Sequence, residues 1–286
     1  MKKYLLGICF LSFLSCGDSG DSDNQTFNSS KIQTLTIQDE NITNGNASLS
    51  EKLDFQFEYN QNKLVKVWDL HNNYTENLTY NNNSLSAITI SGYIYPDLAS
   101  HQPLNVKRNI VCDANNKIIS SENPIADFSG NTTYTLFEYP SSDIIIAKYY
   151  NKYLNNPGVL KETSKIFLNN GNVTKVQFAY DNSPVFTKEV RYEYDQKNNP
   201  NSLIDRNRIL ALPEYAFNVF MLQDYSQISK NNVVVKKSYW IYPSEILLET
   251  TNFHYNYQNN DLPGTIYLQY DYPGNTGLKV SAIYGY

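Results

Sequence analysis

The chain has 286 residues, 41% of them apolar and 18% charged, enough for one large domain or two small ones and too apolar for wholesale disorder. A formal charge of −5 argues against a nucleic-acid partner. Twenty-five tyrosines against two tryptophans, among many asparagines, point to pleated strands joined by Asn-built turns and away from helices.

Met1, Lys2 and Lys3 form a short basic start and Tyr4 to Phe13 an apolar run, too short for a spanning helix of about twenty residues. Phe13-Leu14-Ser15-Cys16 resembles a bacterial lipobox, which implies that residues 1–15 are a lipoprotein signal peptide and that Cys16 carries the acyl chains. Cleavage there removes Lys2 and Lys3 and no acid, leaving 21 basic against 28 acidic side chains, a charge of −7. Residues 16–30 are polar and lack an apolar period, as expected of a flexible tether. Asp18, Asp21 and Asp23 within it resemble the acidic signals of surface-directed Bacteroidetes lipoproteins. With Cys9 lost and Cys16 acylated, Cys112 stands alone and is expected to be a small packed strand residue.

From Lys31 onward, apolar residues recur with a period of two. Ile32 to Ile37 is a first strand. Phe55, Phe57 and Tyr59 share one face of the next, Asn60-Gln61-Asn62 turns the chain, and Leu64, Val65 and Val67 resume. Thr75–Tyr80 and Leu85–Ile90 repeat this hairpin across Asn81-Asn82-Asn83. Residues 93–106, with Pro96, His101 and Pro103, are expected to form a longer loop. Pairs follow at Asn109–Cys112 with Lys117–Ser120, and at Thr133–Tyr139 with Ile144–Tyr150. The clearest hairpin is Lys161–Leu168, Asn169-Asn170-Gly171-Asn172, Val173–Tyr180, because Asn-Gly is the strongest short turn signal. Phe186–Tyr194 follows.

Residues 196–232 break the rhythm, and Ala216, Val219 and Phe220 behind Pro213 have helical spacing, so one short helical insert is expected, with Met221 as a gap-filler. Hairpins return at Val233–Tyr242, Ile246–Tyr257, Thr265–Tyr272 and Lys279–Tyr286. The expected fold is therefore all-β: an antiparallel meander of about twelve to fourteen strands over residues 31–286, rolled into an open or barrel-like sheet.

Phe57-Glu58-Tyr59-Asn60, Leu78-Thr79-Tyr80-Asn81 and Phe178-Ala179-Tyr180-Asp181 share a form that resembles the YD or RHS-type repeat, although most turns lack that repeat's glycine. Tyr192-Glu193-Tyr194-Asp195, the Leu-rich insert and Ser229-Lys230-Asn231-Asn232-Val233 resemble a family of Bacteroidetes lipoproteins of unknown function with a porin-like β fold. The resemblance implies fold and envelope location, and no activity.

His71, His101 and His254 lack metal-ligand spacing, and no HExxH, CxxC, GxSxG, Walker or GxGxxG string occurs, so no metal, cofactor or catalytic residue is assigned. Turn aspartates Asp113, Asp195 and Asp261 are explained by Asx-turn chemistry. Trp68, Tyr239, Trp240 and Tyr242 are the candidate ligand-binding residues, since flat apolar rings with polar handles stack on sugars; the competing explanation is cross-strand pairing. Val280, Ala282, Tyr284 and Tyr286 alternate as in the last strand of outer-membrane barrels, but Lys188 and Glu249 share faces with apolar residues, against lipid exposure. The reading is a lipid-anchored, non-catalytic envelope scaffold or binding module for a glycan, peptide or envelope protein. A glycan hydrolase with an unidentified carboxylate pair and an outer-membrane barrel are the alternatives.

Overall fold

The computed structural model describes residues 31–71, 74–92, 104–125, 130–153, 156–212, 225–272 and 276–286. The signal peptide, the tether, Cys16, His101 and the helix expected around Ala216, Val219 and Phe220 lie outside these residues.

The described chain is an antiparallel sheet of 17 strand segments, more than the twelve to fourteen counted. They are β1 (Thr34–Thr43), β2 (Asn46–Asn60), β3 (Lys63–Asp69), β4 (Tyr74–Asn81), β5 (Ser84–Gly92), β6 (Leu104–Cys112), β7 (Ile118–Asn123), β8 (Asn131–Ser141) and β9 (Ile144–Tyr153). The second half holds β10 (Val159–Asn169), β11 (Asn172–Tyr180), β12 (Lys188–Asn198), β13 (Asn231–Trp240), β14 (Ile246–Asn252), β15 (His254–Tyr257), β16 (Pro263–Tyr272) and β17 (Thr276–Gly285). Every segment overlaps a stretch named from the sequence, and Ile246–Tyr257 supplies two of them because it is split at Phe253 into β14 and β15.

Apart from the collinear β14 and β15, each strand pairs with its sequence neighbour, and β1 pairs with β17 from Thr34↔Gly285 to Thr43↔Thr276, so the sheet rolls up and meets itself. Closing an antiparallel ring needs an even number of strands. β14 and β15 supply this condition because they are one extended stretch interrupted at Phe253, whose amide still bonds Val234 O at 2.9 Å. The ring thus has sixteen legs.

Asparagine makes the tight turns work. Gln61-Asn62, Asn82-Asn83, Asn44-Gly45 and Asn170-Gly171 are each a consecutive pair with positive φ, the signature of the two-residue turn whose twist matches antiparallel strands, and Asp181-Asn182 has the same φ pair within the longer β11–β12 connection. Asn tolerates this region through local hydrogen bonding, which is why three of these five pairs dispense with glycine.

One face of nearly every strand is buried. Leu35, Phe55, Val67, Ile88, Ile118, Ile145, Ile166, Val176 and Leu268 belong to one continuous core, joined by Leu210 and Leu212 of the insert between β12 and β13. The opposite face is mostly polar, with Val111, Ile119, Leu136 and Ile283 exposed on it, and carries the ion pairs Lys52–Asp54, Lys148–Glu138, Lys237–Glu193 and Lys279–Glu40. Val280, Ala282 and Tyr284 of β17 point to the buried side. The alternation that resembled a membrane strand therefore packs the inside of the ring.

Candidate functional site

Two features interrupt the regular wall: a plug at the end where the insert lies, and a seam between β14 and β16.

At the insert end, β4, β6, β8, β12 and β15, with the residue just after β17, carry a belt of side chains that a hydrogen-bond pattern stitches together. Tyr80 donates its hydroxyl to Leu64 O at 3.0 Å, Tyr139 to Ile118 O at 2.9 Å and Tyr194 to Val173 O at 2.6 Å. Tyr255, on the second half of the split strand, donates to Val233 O at 2.5 Å, and Tyr286 to Pro263 O at 3.0 Å. Cys112 takes the same place in β6 with the weaker version of the bond, Sγ to Leu85 O at 3.7 Å. In each case the acceptor belongs to the preceding hairpin.

The register explains the acceptors. Tyr80↔Leu85, Cys112↔Ile118, Leu168↔Val173 and Tyr194↔Val233 are cross-strand partners, and each is followed by a bulge that leaves one residue extra on the second strand. A bulge interrupts the ladder beside the aliphatic residue, and the next hairpin's hydroxyl or thiol bonds that residue's carbonyl. The recurring Tyr-Asn and following aliphatic of the sequence are thus two halves of a hairpin-to-hairpin clasp. Burial holds the phenols of Tyr59 and Tyr139 up at about 12.

The belt surrounds the insert. Two 3₁₀ turns, Pro200–Leu203 and Tyr225–Ile228, flank helix α1, Arg206–Ala211. Asn199 caps the first turn through its Oδ1 and donates Nδ2 to Ser229 O and Gln227 O, drawing the ends of the insert together. Asp205 caps α1, its carboxylate accepting Asn207 N at 2.9 Å, and burial raises its pKa. Asn207 then ties the helix to the β6–β7 turn, accepting Ile118 N at 3.2 Å and donating to Asn116 O at 2.8 Å.

The main anchor is Arg208. Its Nε and Nη2 donate to Glu76 Oε1 and Oε2 of β4 at 2.6 and 2.7 Å, with exposures of 1% and 0%. Tyr74 donates its hydroxyl to Glu76 Oε2 at 3.1 Å. Burial works to lower the pKa of Arg208, but the Glu76 charge and hydrogen bonds more than offset it, so the guanidinium is held above its ordinary value.

The seam arises from the break at Phe253. Phe253 bonds to β13, so by the alternation of an antiparallel ladder Thr250 and Asn252 turn their backbone groups to the opposite edge. His254 and Asn256 continue that edge and pair with Tyr267 and Thr265 of β16. Among the described residues no ladder joins β14 to β16 above that point. The two strands diverge around a cleft of about 440 Å³ lined by Thr250, Thr251, Asn252, His254, Tyr267, Leu268 and Gln269. His254 stacks on Tyr267 with ring centres 5.0 Å apart, and Lys279 Nζ lies 5.2 Å from the Tyr267 ring centre. Along β14, Ile246, Leu247 and Leu248 are 55%, 53% and 46% exposed.

With the ring, plug and seam in view, the chain is similar in fold to a porin-like protein. That protein, from Bacteroides vulgatus, is 14% identical, with a TM-score of 0.54 over 90% of this chain and 99% of its own. A porin-like protein from Bacteroides uniformis is 11% identical over 89% of this chain and 97% of its own, with a TM-score of 0.33. No family model and no curated protein matches the chain.

On this porin-like fold the four candidate aromatics do not converge. Trp68 lies on the outer face of β3 with Lys66 Nζ 4.8 Å from its ring centre, six strands around the ring from β13. At ~4.8 Å per strand that is about 29 Å of wall. Tyr239, Trp240 and Tyr242 are close in sequence at the end of β13. Tyr239 faces outward under the Arg191 guanidinium, 4.3 Å from its ring centre, while Trp240 pairs with Lys188 and Ile246 and is 42% exposed, and Tyr242 is 60% exposed. Arg191 also bridges Glu245 and Glu189, and Glu189 gathers Gln177 and Lys175 as well. Burial would raise the Glu189 pKa, but its bonds to Arg191, Gln177 and Lys175 hold it below the ordinary carboxylate value.

Sequence reasoning missed the Glu76–Arg208 pair, whose partners are 132 residues apart. It also missed the seam, which leaves no local mark beyond Phe253 interrupting a polar stretch.

Proposed function

We propose that the chain is a lipid-anchored cell-envelope barrel that binds and does not catalyse, held to the membrane through Cys16 and presenting its split wall to an envelope partner. The observation that carries this reading is the distribution of polarity. The outer wall holds ion pairs on β1, β2, β17, β8, β9, β12 and β13, and its exposed apolar side chains Val111, Ile119 and Leu136 form a patch on β6–β8, where a spanning barrel presents a continuous apolar band to lipid. The buried face forms one continuous core, to which the described part of the insert is anchored through Arg208. The seam and the β13–β14 rim combine exposed apolar side chains with a polar cleft, and among the described residues no carboxylate lines that cleft. This supports recognition over hydrolysis, which uses a facing carboxyl pair.

Removal of residues 1–30 tests the anchoring. The truncated chain is expected to stay monodisperse without detergent, and a requirement for detergent would return the outer-membrane barrel reading. Intact mass of the membrane-extracted protein is expected to show acyl chains on Cys16. Turnover of an envelope glycan by the purified protein would overturn the non-catalytic role.

A further inference from the structure

Resting on the binding role proposed above, we infer that the seam between β14 and β16 is a peptide-binding site, and that its ligand is an extended segment of a partner protein that adds a strand to the free edge of β14. The backbone carries the argument. One edge of a single strand is used twice: His254 and Asn256 spend their backbone groups on β16, while Thr250 and Asn252, next in the same alternation, face the cleft. Their amides and carbonyls recur every second residue, ~6.6–6.8 Å apart, which is the repeat of a peptide strand.

The surroundings suit such a strand. Exposed edges are commonly blunted by charge, proline or a covering loop, yet β14 reads Ile246-Leu247-Leu248-Glu249-Thr250-Thr251-Asn252, with one charge and no proline. Its side chains are exposed on both faces up to Thr250, so an added strand would find apolar partners on either side. Glu249 is exposed and is the only charged side chain of β14, which selects a lysine or arginine in the arriving segment. Strand addition of this kind takes affinity from the main chain and specificity from alternate side chains.

The test uses the full chain and a positional library of end-blocked octapeptides, half carrying a lysine and half a glutamate at the fourth position. Amide exchange is followed residue by residue. The expected result is binding by the lysine half, with exchange at Thr250 and Asn252 slowed tenfold or more by bound peptide and fast without it. Asn252→Pro removes one seam-facing amide while leaving the Phe253 bond to β13 in place. It is expected to weaken peptide binding tenfold or more with the circular dichroism spectrum unchanged, whereas Thr89→Pro in the paired strand β5 should disturb the spectrum itself. Protection of Thr250 and Asn252 in the free protein, binding that protects other amides, or no binding anywhere in the library would each overturn the assignment. In the first two cases a partner captured elsewhere on the barrel would leave the binding role standing. A chain that captures neither peptide nor glycan would lose both.

Discussion

At the scale of single residues, the molecule depends most on a charge pair it has hidden. Glu76 and Arg208 satisfy each other in two parallel bonds with almost no solvent, and Tyr74 adds a third donor. Removing one partner strands the other charge inside, which typically costs about 3–5 kcal/mol, whereas replacing both with apolar groups of similar volume is often neutral. Arg208→Met is therefore expected to lower stability by about 3–5 kcal/mol in urea titration, and Arg208→Met combined with Glu76→Leu to recover most of that loss. A double variant no more stable than the single one would show that the pair is not what holds the plug. The belt makes a smaller claim. Tyr194→Phe removes the bond to Val173 O without changing the ring, so a loss of about 0.5–1.5 kcal/mol is expected in the same titration. Neither role was legible from composition: the tyrosines were read as strand formers, while their hydroxyls serve carbonyls 16–23 residues away.

At the scale of elements, the asparagine-built hairpins are where local sequence and observed structure agree most closely. Gly171 illustrates the physics. Its φ is +79, and an added Cβ would meet only ordinary contact with Lys230 Cβ at 3.5 Å, so the penalty of Gly171→Ala lies in the backbone. A left-handed conformation costs a non-glycine residue about 1–2 kcal/mol, and a fall of that size in unfolding free energy is expected for Gly171→Ala. Asn at that position should lose less. Helix α1 shows the opposite case: it spans only Arg206–Ala211, too short for a readable period, and its best signal was the capping Asp205. The start of β6 at Leu104 was likewise hidden, because Leu104-Asn105-Val106-Lys107 looked like the tail of a loop.

At the scale of the whole molecule, ionisation limits stability on both sides of neutrality. Tyr59 and Tyr139 have pKa values raised by burial from 10.0 to about 12. Their contribution is complete below pH 10 and is lost as pH rises toward 12, because the unfolded chain releases these protons first. Glu189 is shifted the other way. Its contribution is present above about pH 4.5, the ordinary carboxyl value, and is lost as pH falls through its depressed folded value. Circular dichroism against pH is expected to show a plateau between these limits, with an alkaline transition that coincides with tyrosinate absorbance. Tyr59→Phe with Tyr139→Phe should move that transition to higher pH.

By itself, the sequence determined the period of the strands, the sites of the tight turns and the antiparallel meander, because these depend on side-chain alternation and on the φ preferences of asparagine, both local quantities. Closure of β1 onto β17, the inward aim of the C-terminal alternation, the Glu76–Arg208 anchor and the unzipped edge of β14 were decided only by tertiary structure. Each joins or parts residues that are remote along the chain or alike in local pattern, so nothing short of the assembled ring distinguishes inside from outside or a paired edge from a free one.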